Sequence, residues 1–566
     1  MELAEFLALP RVTSAACSPD GSWLAVAVQR LDADGAKFIS DIWRAPTDGS
    51  TPTVLLEGEH SDRAPCFRDD GALGFLSDRP VEDEEEPERS QVWLWSDGVL
   101  SMLSDEPVGV TSFAFSGPRL VLLSSHRPGV PLSEQRALAA DEKKNGPSAR
   151  HYRGLRSRHW DHWLPAAEPH LVVIDEQGRR DLTPAPGDLL RETSLSAAGG
   201  RAVVVAQAPG EDQVSCGWLW VFDLETGERQ ELGREAHTSL SSPVLSSDGT
   251  MLLSSRHVRA RGRFGDESLW LIELASGEGR ALAEDWDCLA IPAGFTTDGS
   301  AVALRHERGC ERLYRIDLTD GTREALTEGG ACTGVSCDVG IIGLWSDLLT
   351  PPQPFVLGKD GLCLLPIYPA PSFDLEVEEQ SGVLKHGGEI HMRIVRPSSP
   401  GPHPVLFMVH GGPISDWSDR WHWRWSAAML ASRGYLVALP NPRGSLGYGM
   451  SFMDGIWGNR WGGQCYQDLM ACVDVLSARE DTDGDRIGAM GGSFGGYMMN
   501  WFGVSTGRFR CLISHAGISN LSSFQGVTDH PAWWLHQQGV SAVADPVEQG
   551  RYSPMLQVRR WTSPVL

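Results

Sequence analysis

The chain has 566 residues, too many for one compact domain. Apolar residues make up 41% and charged residues 22%, the composition of a folded globular protein, which argues against long disordered tracts. A formal net charge of -25 repels phosphate backbones and anionic lipid, so neither nucleic acid nor a membrane surface is expected as a partner.

The first residues, Met1-Glu-Leu-Ala-Glu-Phe6, lack the basic start and apolar stretch of a secretion signal. No run approaches the roughly 20 apolar residues of a membrane helix. The expected compartment is the cytoplasm. Eleven cysteines occur without a C-x-x-C pair, so neither a disulfide framework nor a zinc site is signalled. Cys332 and Cys337 come nearest to a pair and read as buried or loop thiols. The 21 tryptophans fall largely in short alternating segments, which points to β structure.

One pattern recurs over the first 370 residues. A turn, Ser18-Pro-Asp-Gly21, leads into an apolar strand, Trp23–Val28. The unit returns at Asp69-Asp-Gly71 with Ala72–Leu76, at Ser246–Gly249 with Met251–Ser254, and at Thr297-Asp-Gly299 with Ala301–Leu304. Weaker copies are Leu120–Leu123, Ala202–Val205 and Ile341–Leu344. A second strand follows, as in Val92–Trp95, Leu219–Leu224, Leu269–Leu274 and Leu313–Leu318, closed by its own Gly turn. Alternating strands joined by Asp-Gly turns are hairpins. Seven units at a period of roughly 40 to 50 residues predict an all-β seven-bladed propeller over 1–370.

One interval is longer, an insertion at about 125–168. It contains Glu142-Lys-Lys-Asn-Gly-Pro147 and Arg158-His-Trp-Asp-His-Trp163. His159, Asp161 and His162 have the chemistry of metal ligands. Without a supporting context the run reads as aromatic packing around satisfied histidines, and no metal is expected.

Near residue 375 the texture changes. The strand Glu389–Val395 comes first. Val405–Val409 is apolar throughout, as a strand covered on both faces must be. Trp425–Ser432 is helical in character, Tyr435–Leu439 is the next strand, and Tyr466–Leu476 carries Leu469, Cys472, Val473 and Leu476 at helical spacing. Ile487–Met490 and Cys511–Ser514 are further strands. Strands alternating with helices predict an α/β-hydrolase domain over 371–566, with an incomplete doubly wound parallel sheet.

The chemistry-bearing motif is Gly491-Gly-Ser-Phe-Gly-Gly-Tyr497, directly after a strand and before a helix. G-x-S-x-G in that setting lifts a serine hydroxyl above the sheet, which makes Ser493 the candidate nucleophile and Gly491 and Gly495 the glycines of its elbow. The loop His410-Gly-Gly-Pro413 follows the strand Val405–Val409 and supplies a second donor for an oxyanion. The amides of Gly412 and Phe494 are assigned to the oxyanion hole, with Gly411 left open as the alternative to Gly412. His410 reads as a loop anchor. His515 and Asp529-His530 are the local candidates for a base; His515 is expected to pack beneath the elbow, and the Trp-rich segment His530–Trp534 to border the substrate pocket.

With these residues in place the chain resembles the prolyl oligopeptidase family. The resemblance rests on His410-Gly-Gly-Pro413, Asn441–Ser445 with Gly447-Tyr-Gly449, Trp461-Gly-Gly463 with Asp468-Leu469, and Gly491–Tyr497. His410 in place of a tyrosine resembles the acylaminoacyl-peptidase branch, and it removes the tyrosine oxyanion donor of other members. Arg158–Trp163 resembles dipeptidyl-peptidase-V-type enzymes. The resemblance implies a serine peptidase acting on short peptides, with no cofactor and with a propeller that keeps folded proteins out. It also implies a triad in the order Ser, Asp, His, which puts the Asp and His beyond Leu566 and makes these 566 residues a fragment, inactive as it stands. An esterase on the same fold and a non-catalytic propeller scaffold are the alternative readings.

Overall fold

A computed structural model describes the chain at every residue except 81–88, 147–148, 150–151, 153–156, 186–188, 288 and 385–387. Pro147, within the insertion, and Cys288 lie outside the described residues.

Among the described residues of 11–364 there are five four-stranded antiparallel sheets, one two-stranded hairpin and one eight-stranded, mainly antiparallel sheet. The first is typical: Arg11–Cys17, Trp23–Leu31, Phe38–Pro46 and Thr53–Leu56 pair in sequence order. Its opening turn shows why the Asp-Gly signal works. The Asp20 carboxylate accepts the Ser22 amide at 3.0 Å, and Gly21 takes the left-handed φ of +72° that the tight reversal needs. Asp248 and Gly249 repeat the device, with the Thr250 amide at 3.0 Å and φ +69°. The eight-stranded sheet spans Ala290–Leu364, and its halves are joined in the ladder by a parallel contact of Glu311 with Ala331.

Successive sheets share apolar clusters. Ala25 and Ile42 pack with Leu73 and Phe75 of the second sheet, and Val121 and Leu171 of the third pack with Val204 and Trp220 of the fourth. The series closes on itself, because Val12, Leu24 and Val26 share a cluster with Ile342, Leu344 and Leu365. Each fully buried Leu, Ile or Phe stabilises this stacking by about 1.5–3 kcal/mol relative to exposure.

The third sheet is interrupted between Arg119–His126 and Glu168–Asp175. That interval holds the helix Gln135–Asn145 and a two-residue-per-arm hairpin of Arg158–His159 with His162–Trp163. Here the aromatic-packing expectation is corrected. Trp160 is 74% and Trp163 57% exposed, because the hairpin projects from the sheets instead of joining their core. Trp163 keeps one ring partner, Tyr152, at 6.0 Å.

The C-terminal region is a six-stranded sheet. Its strands are β1 (Leu375–Val383), β2 (Glu389–Pro397), β3 (His403–Val409), β4 (Leu436–Pro440), β5 (Thr482–Gly492) and β6 (Cys511–His515), in the order β1-β2-β4-β3-β5-β6. β4, β3, β5 and β6 run parallel, while β1 and β2 are antiparallel. Helices α1 (Ala427–Ala431), α2 (Tyr466–Ala478) and α3 (Phe494–Ser505) pack on it. α2 turns Leu469, Cys472, Val473 and Leu476 inward to a core with Val405, Phe407, Ile487 and Ala489 of β3 and β5. Among the described residues no helix is long and apolar enough to cross a membrane.

The two regions grip one another. The Phe264 amide donates to Asp454 and the Met450 amide to Asp287, both at 2.7 Å, and Ser418 Oγ donates to Glu311 at 2.9 Å. The N-terminal helix Leu3–Ala8 stands apart from the sheets that follow it. Its Phe6 packs on Trp421 and Trp423 of the C-terminal region, with ring centroids 5.7 and 5.6 Å away.

Candidate active site

Ser493 sits at the junction of β5 and α3 with φ +57° and ψ -115°, backbone values that cost a non-glycine residue roughly 1–3 kcal/mol. Its side chain is exposed. The turn is held by backbone contacts: the Ser493 amide donates to the His515 carbonyl at 2.9 Å, and the Tyr497 amide donates to the Ser493 carbonyl at 2.8 Å.

The glycines around it are dictated by space. A Cβ on Gly495 would stand 2.1 Å from the Val409 carbonyl oxygen, and one on Gly491 would stand 2.6 Å from the Gly495 carbonyl carbon. α3 can approach β3 this closely only without side chains there. Beneath the turn, buried Trp461 packs edge-on against Phe494 at 5.0 Å, Tyr497 at 5.5 Å and Trp534 at 5.0 Å. The Phe494 side chain thus faces the core, and its amide belongs to the first turn of α3, where N–H groups have no partner within the helix.

The loop after β3 faces this turn. A Cβ on Gly411 would lie 3.5 Å from Ser493 Cβ, and Gly411 lines the same pocket as Ser493. Gly412 is exposed and carries φ +114°. His410 is buried, with Nε2 2.9 Å from Ser445 Oγ, and burial lowers its pKa, so the ring is neutral. Asn441 fixes the next stretch by accepting the Trp417 amide at 2.7 Å and donating to its carbonyl at 3.0 Å. Arg443 donates its amide and Nε to the fully buried Asp468, each at 2.9 Å.

The pocket has a volume of about 640 Å3 and lies between the two regions. Besides Ser493 and Gly411, its wall includes Asp416, His422, Trp425, Trp160 and Asp529. Its polar groups are mostly engaged. Asp416 pairs with His306 at 3.4 Å. His422 Nδ1 accepts the Trp425 amide at 3.1 Å, and burial, reinforced by Arg420 and Arg424, lowers its pKa to about 4. Asp529 accepts the Trp160 amide at 2.7 Å, and the Arg158 guanidinium donates to the Val527 carbonyl, so the inserted hairpin touches this wall. Burial raises the Asp529 pKa, but the Trp160 bond and the neighbouring His530 outweigh it and hold the carboxyl below its ordinary range.

His515 contributes its carbonyl to the turn. Its ring is exposed, lines the pocket with Ser493 and packs edge-on against Trp425 at 5.8 Å, so it is not packed beneath the elbow. Among the described residues no hydrogen bond joins the Ser493 hydroxyl to a histidine. The Trp-rich segment His530–Trp534 is not in the pocket wall, contrary to expectation: Thr528 and Asp529 just before it reach the pocket, while Trp533 and Trp534 turn inward to Trp457 and Trp461. Asp416, Arg420 and His422 escape a sequence reading because residues 410–426 have no periodicity; the density of Trp and charge there is the one available signal.

Residues 421–566 match the prolyl oligopeptidase family. Dipeptidyl-peptidase 5 of Schizosaccharomyces pombe is 28% identical over 467 residues, 74% of this chain and 67% of that protein. Dipeptidyl-peptidase 5 of Porphyromonas gingivalis is 24% identical over 600 residues, 99% of this chain and 86% of that protein. The C-terminal part of the chain, residues 421–566, is thus similar to the prolyl oligopeptidase family. Among solved structures, acylaminoacyl peptidase of Pyrococcus horikoshii superposes with a TM-score of 0.78 at 17% identity, covering 99% of this chain and 86% of that one. That likeness is one of fold: the family architecture is a propeller followed by an α/β-hydrolase domain.

Proposed function

We propose that this chain is a serine peptidase of the prolyl oligopeptidase family that hydrolyses short peptides through an acyl-enzyme on Ser493. The observation that carries the assignment is the geometry of Ser493 itself: exposed, at positive φ, between a parallel strand and a helix N-terminus, and opening on a pocket shared with Gly411. Ser493 attacks the peptide carbonyl. The amides of Gly412 and Phe494 receive the developing oxyanion, a reading supported by the loop facing the turn and by the position of Phe494 in the first turn of α3. Gly491 and Gly495 are the elbow glycines.

We assign the acid and base to chain that follows Leu566, in the order Ser, Asp, His. Pro564–Leu566 supports this, because it pairs in parallel with β6, Leu566 N donating to Leu512 O at 3.0 Å. A further parallel strand there would end on the same face as Ser493. We divide the chain into a propeller over 1–370 and a hydrolase domain over 371–566, with the helix Leu3–Ala8 docked on the latter. The eight-stranded sheet, taken as two blades joined at Glu311–Ala331, makes seven blades with the five four-stranded sheets. The names of the relatives, dipeptidyl-peptidase 5 and acylaminoacyl peptidase, and an acylaminoacyl peptidase structure with Z-Gly-Gly-Phe-chloromethyl ketone, support short peptides as substrates. Ten described cysteines, all unpaired, accord with a reducing, cytoplasmic setting.

The test is mass-spectrometric labelling with a fluorophosphonate, on these 566 residues and on a chain continued past Leu566. Labelling of Ser493 in the longer chain alone supports the reading in full. Equal labelling of both removes the downstream base, and labelling of neither overturns the peptidase.

A further inference from the structure

The inserted hairpin and the hydrolase domain bring three metal-ligating side chains together at the pocket mouth. Asp529 Oδ2 lies 3.8 Å from His159 Nδ1 and 3.5 Å from His530 Nε2. One ligand atom from each of the three falls within 4.8 Å of the others, the one such group of three His, Cys, Asp or Glu side chains among the described residues. The His159 and His530 rings stand edge-on with centroids 6.0 Å apart. The sequence motif suggested a different set, His159, Asp161 and His162. In the structure Asp161 pairs with His162 at 3.1 Å, and the carboxylate beside His159 comes from a residue hundreds of positions away.

Two imidazoles and a carboxylate are a nitrogen-rich donor set, which suits zinc and related ions better than magnesium or calcium. Zinc holds such donors at about 2.0–2.2 Å, so tetrahedral neighbours stand about 3.3 Å apart. Closing the present separations, none above 4.8 Å, to that spacing takes about 1.5 Å at most, shared between the 58% exposed His159 and 37% exposed His530 side chains. The carboxylate is already oriented, because the Trp160 amide donates to Asp529 Oδ2 at 2.7 Å, the supporting contact that ligating carboxylates ordinarily have.

We infer that His159, Asp529 and His530 bind a divalent transition-metal ion of the zinc class, and that the ion fastens the inserted hairpin to the Thr528–His530 segment across the pocket mouth. The fourth position is open to water or to His162, whose ring is 5.7 Å from that of His159. Asp529 and Trp160 both line the pocket with Ser493, so a bound ion fixes part of its wall. The site revises the expectation that the chain holds no metal, and it stands whether or not the peptidase reading does.

Titration calorimetry of zinc chloride into the 566-residue chain tests it directly. One ion per chain is expected, with His159→Ala and His530→Ala each weakening binding at least about tenfold. His237→Ala, at an exposed histidine that pairs with Asp212 and is not one of the three ligands, leaves it unchanged. Asp529→Asn keeps an acceptor for the Trp160 amide and should also weaken binding at least about tenfold, which separates ligation from hairpin order. Cobalt in place of zinc should give a nitrogen and oxygen spectrum, since exposed Cys363 and Cys511 are the competing ligands. No binding, binding insensitive to both histidines, or a thiolate spectrum overturns the site.

Discussion

The Ser493 amide donates to the His515 carbonyl at 2.9 Å, so the turn that presents the serine is tied to the end of the neighbouring strand β6. A second tie runs the same way: Ser514 Oγ donates to the Gly496 carbonyl at 3.0 Å. Together they hold a backbone conformation that is unfavourable in isolation, and surrounding structure of this kind is what lets a strained residue persist.

Gly495→Ala should break that arrangement. Its methyl would meet the Val409 carbonyl oxygen at 2.1 Å, a backbone atom of a buried parallel strand that cannot step aside. A loss of about 3 kcal/mol is expected from overpacking, with loss of Ser493 labelling in the longer chain. Gly526→Ala is the control, because nothing lies within 4 Å of its Cβ position and it sits in the helix Leu521–Val527. It should leave stability unchanged or raise it by about 0.4–1 kcal/mol. Urea unfolding of both variants measures this.

Asp468→Ala should cost about 3 kcal/mol or more, because it strips a buried partner from a part-buried guanidinium and leaves the Arg443 amide without an acceptor. Asp468→Asn keeps one acceptor and should fall between. The double variant Asp468→Ala/Arg443→Met removes both charges and should recover part of the loss. If the single and double variants unfold at the same urea concentration, the pair is not what holds the 441–449 loop.

Cys332 and Cys337, the nearest approach to a cysteine pair in the sequence, should resist alkylation. Burial raises both thiols to about 12, so almost no thiolate exists at pH 8. Exposed Cys363 and Cys511 should react first. Peptide mapping after brief iodoacetamide treatment of the folded chain reads the order, and early modification of Cys332 contradicts it.

The parallel sheet was legible because Val405–Val409 is apolar at every position, which only a strand covered on both faces requires. The serine turn was legible because its glycines answer to local crowding between α3 and β3, written within a few residues of Ser493. The pocket wall was not. Asp416 and His422 lie on an irregular stretch whose shape comes from Asn441 and from the opposite region, not from a period. The hairpin contact was beyond reach for the same reason: Trp160 and Asp529 are 369 positions apart, and neither residue's neighbours announce the other. Nor does any pattern in Leu3–Ala8 say that Phe6 packs on Trp421.

The ion pair of His306 with Asp416 predicts a pH dependence of the grip between the two regions. His306 is on the strand Ala301–Glu307 and Asp416 on the loop after β3, 3.4 Å apart and both largely buried. Burial works against the charged imidazole, but the Asp416 carboxylate, with help from Glu311 and against Arg420, outweighs it and raises the pKa above the ordinary 6.5. A folded-state pKa above the unfolded one means that the folded chain binds the proton more tightly. The stabilisation is therefore complete below pH 6.5 and fades as pH rises through the higher folded value. His257, His410 and His422 are shifted the opposite way by burial, so the wild-type melting curve alone mixes opposing slopes. The informative quantity is the difference between wild type and His306→Gln. That difference should be largest at pH 6 and shrink towards pH 9; a constant difference would mean that His306 contributes packing and no charge.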